Sequence, residues 1–515
     1  MHDQRLRRPS LLGRVCSAEY AASLIKDGMT VGMSGFTRAG EAKAVPRAMA
    51  ERAVHDPFKI TLMTGASLGN DIDRLLTEAG VLSRRLPFQV DPVLRRAIND
   101  GKVLFIDQHL SETVEMLRSR QLGPIDYAII EAVAIREDGG IVPTTSVGNS
   151  ATFAILAEKV IVEINLTQPL ALEGLHDIYI PGRRPYREAV PVMACDSRAG
   201  LPYIPIEPTK IAAIVFTEQS DSPSANEPPD AVTDTIARHL IDFLSQEVKL
   251  GRLGMSLAPL QAGIGTIANA VMHGLIDSPF HDLLMYSEVL QDSTIALFDA
   301  GKLVFASGSS ITLGPEMTRR FNENLEDYKH RMVLRPQEIS NHPEVIRRLG
   351  IIGVNTALEC DIYGNVNSTH VDGTHIMNGI GGSGDFARNA YMAVFVARST
   401  ARGGDISTVV PMVTHVDHNE HDVDIIVTEH GLADLRGLAP RERAPLIIKC
   451  CAHPDYRDAL RDYARRAARE RGGQTPHLLE EAFSWHLHRR RTGSMRGIGA
   501  ASSQTGRESW TGPVP

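Results

Sequence analysis

The octapeptide MYSEVLQD, Met285 to Asp292, sets one carboxylate, Glu288, directly behind an apolar, strand-like run. A carboxylate in that place is either ordinary solvated surface or a held reactive group. Its neighbours favour the second reading. Upstream, LQAGIGTIANAVMHGL places a Gly-x-Gly turn, Gly263 and Gly265, at the head of an apolar helix. Downstream, GIGGSGDF gathers Gly379, Gly381, Gly382 and Gly384 into a second turn. Glycine lets a backbone approach a ligand closely, and consecutive free N–H groups can then face a developing oxyanion. One carboxylate between two such turns suggests acyl chemistry.

Two further patterns invite other chemistries. His415, His418 and His421 in THVDHNEHDVD, with Asp417, put imidazoles within reach of one another. No HExxH pattern or thiolate pair completes them, so no metal site is expected. GIGGSGDF resembles a nucleotide loop, but it lacks the Lys-Ser/Thr of a phosphate loop and does not close a first strand–helix–strand unit.

The scaffold that must position Glu288 reads as α/β. SAEYAASLIKDG is a helix with Ser17 as N-cap and Gly28 past its end, followed by the strand MTVGMSG. The alternation continues through AVPRAMAERAV, KITLMTG, DPVLRRAIND, KVLFID, DYAIIEAVAI and KVIVEIN. TEQSDSPSANEPPD, Thr217 to Asp230, has no periodicity and reads as a linker. Beyond it an amphipathic helix, DAVTDTIARHLIDFLSQEVKLG, precedes the strands DLLMYSEVL, LVFASG and DIIVTEHG. A weak internal repeat sets Pro57 on Pro279, Phe58 on Phe280 and Met63 on Met285, through helix, turn and strand in both copies. The expected organisation is one α/β domain over residues 1–220, a linker over 221–230, a second α/β domain over 231–490 and a disordered Gly/Ser/Thr-rich tail over 491–515.

Composition narrows the class. A chain of 515 residues exceeds what one core usually supports, and 43% hydrophobic with 23% charged residues is the make-up of a soluble globular protein. A net charge of -8 argues against a general nucleic-acid binder. Cys16, Cys195, Cys360, Cys450 and Cys451 are odd in number and without CxxC spacing, which favours a reducing compartment. MHDQRLRRPSLLGRV lacks the apolar core of a secretory signal, and no run approaches a membrane span, so a cytoplasmic enzyme that engages neither membrane nor nucleic acid is expected.

The segments QAGIGTIANAV, MYSEVLQDS, RPQEISNHPEVIRRLG, GNVNSTH, GIGGSGDF and TEHGLADLRGL resemble the acetyl-CoA hydrolase/transferase family of class I CoA-transferases, nearest its succinyl-CoA:acetate branch. The resemblance runs from about Val15 to about Trp485. It implies two similar open α/β domains with the active site between them, a homodimer, and coenzyme A as substrate with no tightly bound cofactor.

It further implies ping-pong transfer of CoA from succinyl-CoA to acetate, reversibly, with Glu288 as nucleophile and carrier of CoA as a thioester. A hydrolase using the same glutamate, or a transferase for another short acid pair such as propionyl-CoA and succinate, remain alternatives. A non-catalytic binding protein would leave Glu288 without a task. By the same resemblance the N–H groups of Ile264 and Gly382 form the oxyanion hole. Leu260, Gln261, Ala262, Gly263, Ile264, Asn378, Gly382 and Arg402 bind CoA, Arg402 standing where the family often has Lys. Ser67, Asn341 and Glu429 line the acyl end. Each of these three fits a plainer role equally: a cap for the helix near Asn70, a turn before Pro343, and a strand end.

Overall fold

The computed structural model describes residues 2–224 and 228–497. Its first seven main strands are β1 (Thr30–Met33), β2 (Ile60–Met63), β3 (Leu82–Leu86), β4 (Leu104–Phe105), β5 (Tyr127–Ala132), β6 (Lys159–Asn165) and β7 (Ile211–Thr217). They form one parallel sheet in the order β4-β3-β2-β1-β5-β6-β7. β5 and β6 are almost wholly buried, as their runs of Ile, Val and Ala require of central parallel strands covered on both faces.

A second sheet repeats the plan. Its strands are β8 (Leu260–Ala262), β9 (Leu283–Tyr286), β10 (Leu303–Gly308), β11 (Met332–Leu334), β12 (Ile352–Thr356), β13 (Met392–Val396), β14 (Ile425–Thr428) and β15 (Gly431–Asp434). The order is β11-β10-β9-β8-β12-β13-β14-β15, parallel except for β15, which folds back on β14. Register repeats as well as order: Gly32 pairs with Met63 in the first sheet and Leu260 with Met285 in the second. The Met63–Met285 correspondence read from the sequence is therefore a structural one. It places Ala66 of the first half where the second half carries Glu288.

Helix boundaries follow their caps. The Ser17 hydroxyl accepts from Tyr20 N at the start of helix Ala18–Ser23, and Asp230 closes a capping box on the long helix Ala231–Lys249. That helix packs on Thr266–Gly274, and its buried face, with Ile236, Leu240 and Leu244, joins a core shared by both sheets.

Two segments hold more structure than their composition implies. The Ser/Pro stretch is tied down on its first-domain side: Asp221 accepts from Lys43 Nζ at 2.8 Å, and Ser222 Oγ accepts from Asn70 N at 2.6 Å. Residues 225–227 of the expected linker lie outside the described residues. At the C-terminus, helix Ser484–Thr492 runs past residue 491, and Met495 is buried with its N–H donating to the Asp405 carbonyl at 2.7 Å, because an apolar side chain there completes the core beneath Trp485. The remainder of the expected tail, 498–515, lies outside the described residues. Among the described residues no helix is long and apolar enough to cross a membrane.

Candidate active site

In an open parallel sheet, the chain reverses its direction of winding where two neighbouring strands lead to opposite sides, and ligands settle at the C-terminal ends of those strands. Here the reversals fall between β1 and β5 and between β8 and β12. A cavity of about 530 Å³ lies at these strand ends, walled by both halves of the chain. The second half supplies Gly263–Thr266 after β8, Glu288 after β9, Asn355–Leu358 from β12 and Asn378–Ser383. The first half supplies Phe36–Arg38 after β1, Ala66 and Ser67 after β2, and Phe88 and Leu110.

Glu288 is held at both ends. Its carbonyl accepts from Ser309 N at 2.7 Å and Ser310 N at 3.1 Å, which fixes the backbone between β9 and the short strand Val289–Leu290. Its side chain is 5% exposed and accepts one hydrogen bond, from Asn341 Nδ2 to Oε2 at 2.8 Å. Burial pushes its pKa up to about 7, against the opposing pull of the Asn341 amide. A carboxylate so poorly solvated is a better nucleophile than one in water, and it remains ionisable near neutrality.

The glycine turns press close. A Cβ built on Gly382 would overlap the Glu288 carboxylate, so only glycine allows the second turn to lie against it. Gly265 adopts φ 128°, a backbone that side chains disfavour, and turns the chain into helix Thr266–Gly274. Neither Ile264 N nor Gly382 N donates to a protein acceptor among the described residues, while the Gly382 carbonyl accepts from Phe386 N at 3.0 Å. Two free amides flanking one buried carboxylate suit an acyl centre that develops negative charge on oxygen.

The first half clamps the second turn. Asp107 accepts from Ile380 N at 2.8 Å, Gln89 Nε2 donates to the Asn378 carbonyl at 3.3 Å, and Ser111 donates to Asp385 through N at 3.1 Å and Oγ at 2.6 Å. Asp385 lies close enough to Glu288 and Asn341 to interact with both, and burial raises its pKa to about 8. Asp107 is likewise raised by burial, to about 7.

Of the residues singled out in the sequence, Ser67, Gly263, Ile264, Glu288, Asn378 and Gly382 line this cavity and Asn341 reaches it through Glu288. Ser67 does not cap the next helix, whose N-cap is Asp71. Asn341 both ends helix Gln337–Ser340 and holds the carboxylate, so its two readings are compatible.

Others stand elsewhere. Leu260, Gln261 and Ala262 are fully buried in β8, where Gln261 pairs with Asn355 at 3.3 Å, because a central strand turns its side chains into the core on both faces. Arg402 is exposed in the turn Arg402–Gly404 and does not line the cavity. The Glu429 carboxylate is taken up by Ser399, accepting from its N at 2.9 Å and from its hydroxyl, in keeping with a strand end. His415, His418 and His421 do not converge. His418 is buried behind Ser383, its ring nitrogen 3.1 Å from the hydroxyl, His415 stacks on His370, and His421 is exposed. Among the described residues no group of three or more His, Cys, Asp and Glu side chains is gathered for a metal.

Sequence reasoning missed Arg38, Ser111 and Asp385. A signal for Arg38 existed in the repeat: the register sets Gly35-Phe36 on Gly263-Ile264, so the first half has its own turn at the same strand end.

Two parallel-sheet halves that close on a buried glutamate flanked by two free backbone amides define the class as an α/β enzyme with a site suited to acyl chemistry. Comparison with known proteins narrows this. Profiles of the acetyl-CoA hydrolase/transferase N-terminal and C-terminal domains match residues 1–216 and 318–464. The chain is 49% identical over 496 residues to a succinyl-CoA:acetate CoA-transferase of Clostridium kluyveri, covering 96% of this chain and 92% of that protein. It is 45% identical over 511 residues to an acetyl-CoA hydrolase of Kluyveromyces lactis, covering 96% and 97%. The crystal structure of RipA from Yersinia pestis shares the fold, with a TM-score of 0.67 at 22% identity over 90% of this chain and 98% of that one. The chain belongs to the acetyl-CoA hydrolase/transferase family.

Proposed function

We propose that this enzyme moves CoA between succinyl-CoA and acetate, with Glu288 as the covalent carrier. The observation that carries the reading is the placement of a buried, singly hydrogen-bonded Glu288 against the Gly382 turn. Glu288 attacks the thioester carbonyl and expels the CoA thiolate, leaving an acyl-glutamyl anhydride. The thiolate then attacks the glutamyl carbonyl and releases the carboxylate, so the enzyme holds CoA as a glutamyl thioester. An incoming carboxylate reverses both steps and leaves as acyl-CoA. Thioester energy is conserved at each stage, which is the gain from covalent catalysis by so weak a nucleophile.

Ile264 N and Gly382 N are assigned to the oxyanion, and Ser67 to the acyl end. Asn378 and the Gly263–Ile264 turn are assigned to CoA. A homodimer in the cytoplasm, with no metal and no tightly bound cofactor, completes the proposal.

The similarity to an acetyl-CoA hydrolase favours one second reading, in which water resolves the same intermediate. CoA release from succinyl-CoA and acetyl-CoA formation, followed side by side, separate the two. The transferase reading expects slow thioester loss alone and a rise by orders of magnitude on adding acetate. Equal CoA release with and without acetate would make the enzyme a hydrolase. Mass spectrometry after incubation with succinyl-CoA alone should find CoA on the peptide containing Glu288; an adduct on cysteine, or none during turnover, would remove the carrier mechanism.

A further inference from the structure

We propose that Arg38 is the specificity determinant that receives the distal carboxylate of a dicarboxylic acyl-CoA, an inference that rests on the CoA-transfer reading above. Among the described residues Arg38 is the sole cationic side chain lining the cavity that contains Glu288. The other cations of the neighbourhood are spent: Lys43 is fully buried on Glu131 and Asp221, and Arg118 is paired with Glu338. Arg38 makes no ion pair among the described residues, and its guanidinium donates one hydrogen bond, from Nη1 to the Pro223 carbonyl at 3.2 Å. The remaining donors of a planar fork built for carboxylates are left to a ligand.

The backbone spends strain to put it there. Thr37 and Arg38 adopt φ 52° and 66°, two successive left-handed residues that are neither glycine nor asparagine. Neighbours hold them: Thr312 Oγ1 donates to the Thr37 carbonyl at 2.6 Å, Arg38 N donates to the Ser67 carbonyl at 3.4 Å, and Ser146 Oγ donates to the Ala39 carbonyl at 2.9 Å. Phe36, two residues before, packs in one apolar cluster with Val289, the residue after the nucleophile. The guanidinium is thus carried on the wall that serves the acyl end. A second cavity, of about 260 Å³, shares Arg38 and Thr312 with the first, so the side chain stands at the partition of the two.

Electrostatics supplies the reason for a cation there. A succinyl group brings a second carboxylate into a low-dielectric cavity beside Glu288, and like charges so placed repel strongly unless a positive group offsets them. An acetyl group brings none. Arg38 therefore sorts acyl groups by whether they end in a charge.

The test compares succinyl-CoA and acetyl-CoA as donors for the full-length enzyme and its Arg38→Met and Arg38→Lys variants. Arg38→Met should lower the ratio of kcat/KM for succinyl-CoA over acetyl-CoA by about 10-fold, as loss of one partner of a half-buried charge pair does. Arg38→Lys should restore part of that ratio. Acetyl-CoA turnover in the same preparation reports that the variant is folded. Equal losses on both donors would assign Arg38 to the CoA moiety or to the fold and overturn the inference, as would an unchanged ratio. A wild-type enzyme that forms the Glu288 adduct from acetyl-CoA but not from succinyl-CoA would overturn it while leaving CoA transfer intact. An adduct from neither donor would overturn both.

Discussion

The Asn341 amide donates to Glu288 Oε2 at 2.8 Å, and among the described residues it is the one side chain that hydrogen-bonds this carboxylate. The two residues come from different elements, Glu288 from the end of β9 and Asn341 from the C-terminus of helix Gln337–Ser340. Asn341 is itself oriented by Ser340 Oγ, which donates to its Oδ1 at 2.9 Å.

Burial raises the Glu288 pKa to about 7, and this bond holds back part of the rise. If Glu288 attacks as the carboxylate, as proposed, kcat/KM should rise with pH through about 7 and level off above it. Asn341 favours the charged form, so Asn341→Ala should move that rising limb to higher pH and lower the plateau by about 100-fold. A pH profile that leaves the limb in place would contradict the assignment.

Glu288 is also a stability liability. Its ordinary pKa of 4.5 is raised to about 7 in the fold, so between those values the folded chain keeps a proton that the unfolded chain has lost. Stability therefore falls as pH rises across that window, and the full cost is present above it. Glu288→Gln should abolish transfer yet stabilise the fold by about 3 kcal/mol at about pH 8, with the gain vanishing by about pH 4, below the unfolded pKa. Chemical denaturation of both proteins at the two pH values checks the sign.

Gly382 leaves no room for a side chain beside the carboxylate. Gly382→Ala should displace either Glu288 or the turn and reduce kcat by at least about 100-fold, the scale of losing one oxyanion donor. The circular dichroism spectrum should stay as it is, since the clash is confined to the cavity. An alanine variant with ordinary turnover would show that the turn is not part of the acyl site.

The clamp on that turn should respond to shape more than to charge. Asp385, raised to about 8, is mostly the neutral acid at neutral pH, and Ser111 bonds both its oxygens. Asp385→Asn should therefore cost little stability, whereas Asp385→Ala should cost about 2 kcal/mol by orphaning the Ser111 donors. Urea denaturation distinguishes the pair, and similar losses in both would mean that the charged form matters.

Lys43 bridges β5 and the Ser/Pro stretch through Glu131 and Asp221, all three largely or wholly sealed from solvent. Lys43→Met should destabilise the fold by about 3–5 kcal/mol, because it strands buried carboxyl groups. Thermal melts should show this loss, together with protease cleavage within Thr217–Asp230.

Much of the scaffold was legible because it is local. The strand KVIVEIN and the Ser17 cap obey short-range rules of periodicity and capping and form as read, although the helix that Ser17 opens ends at Ser23, short of Gly28. Others were not: LSRRL at Leu82–Leu86 forms a strand of the first sheet although two arginines interrupt its pattern, because Arg85 is paired with buried Asp73. That partner lies on another element and leaves no mark on the strand's own sequence.

The sequence by itself determined that a glutamate follows an apolar strand, that glycine-rich turns precede and follow it in the chain, and that the unit around it is repeated. Only the tertiary structure decided which side chains meet it. Leu260, Gln261 and Ala262 precede the first turn yet face the core, while from the other half, hundreds of residues from Gly382 in the chain, Arg38 reaches the cavity and Ser111 holds Asp385 behind the second turn. The physical reason is that strand and turn formation depend on neighbours in sequence. A cavity at the ends of two sheets is made by packing between halves, where distance along the chain carries no information about distance in space.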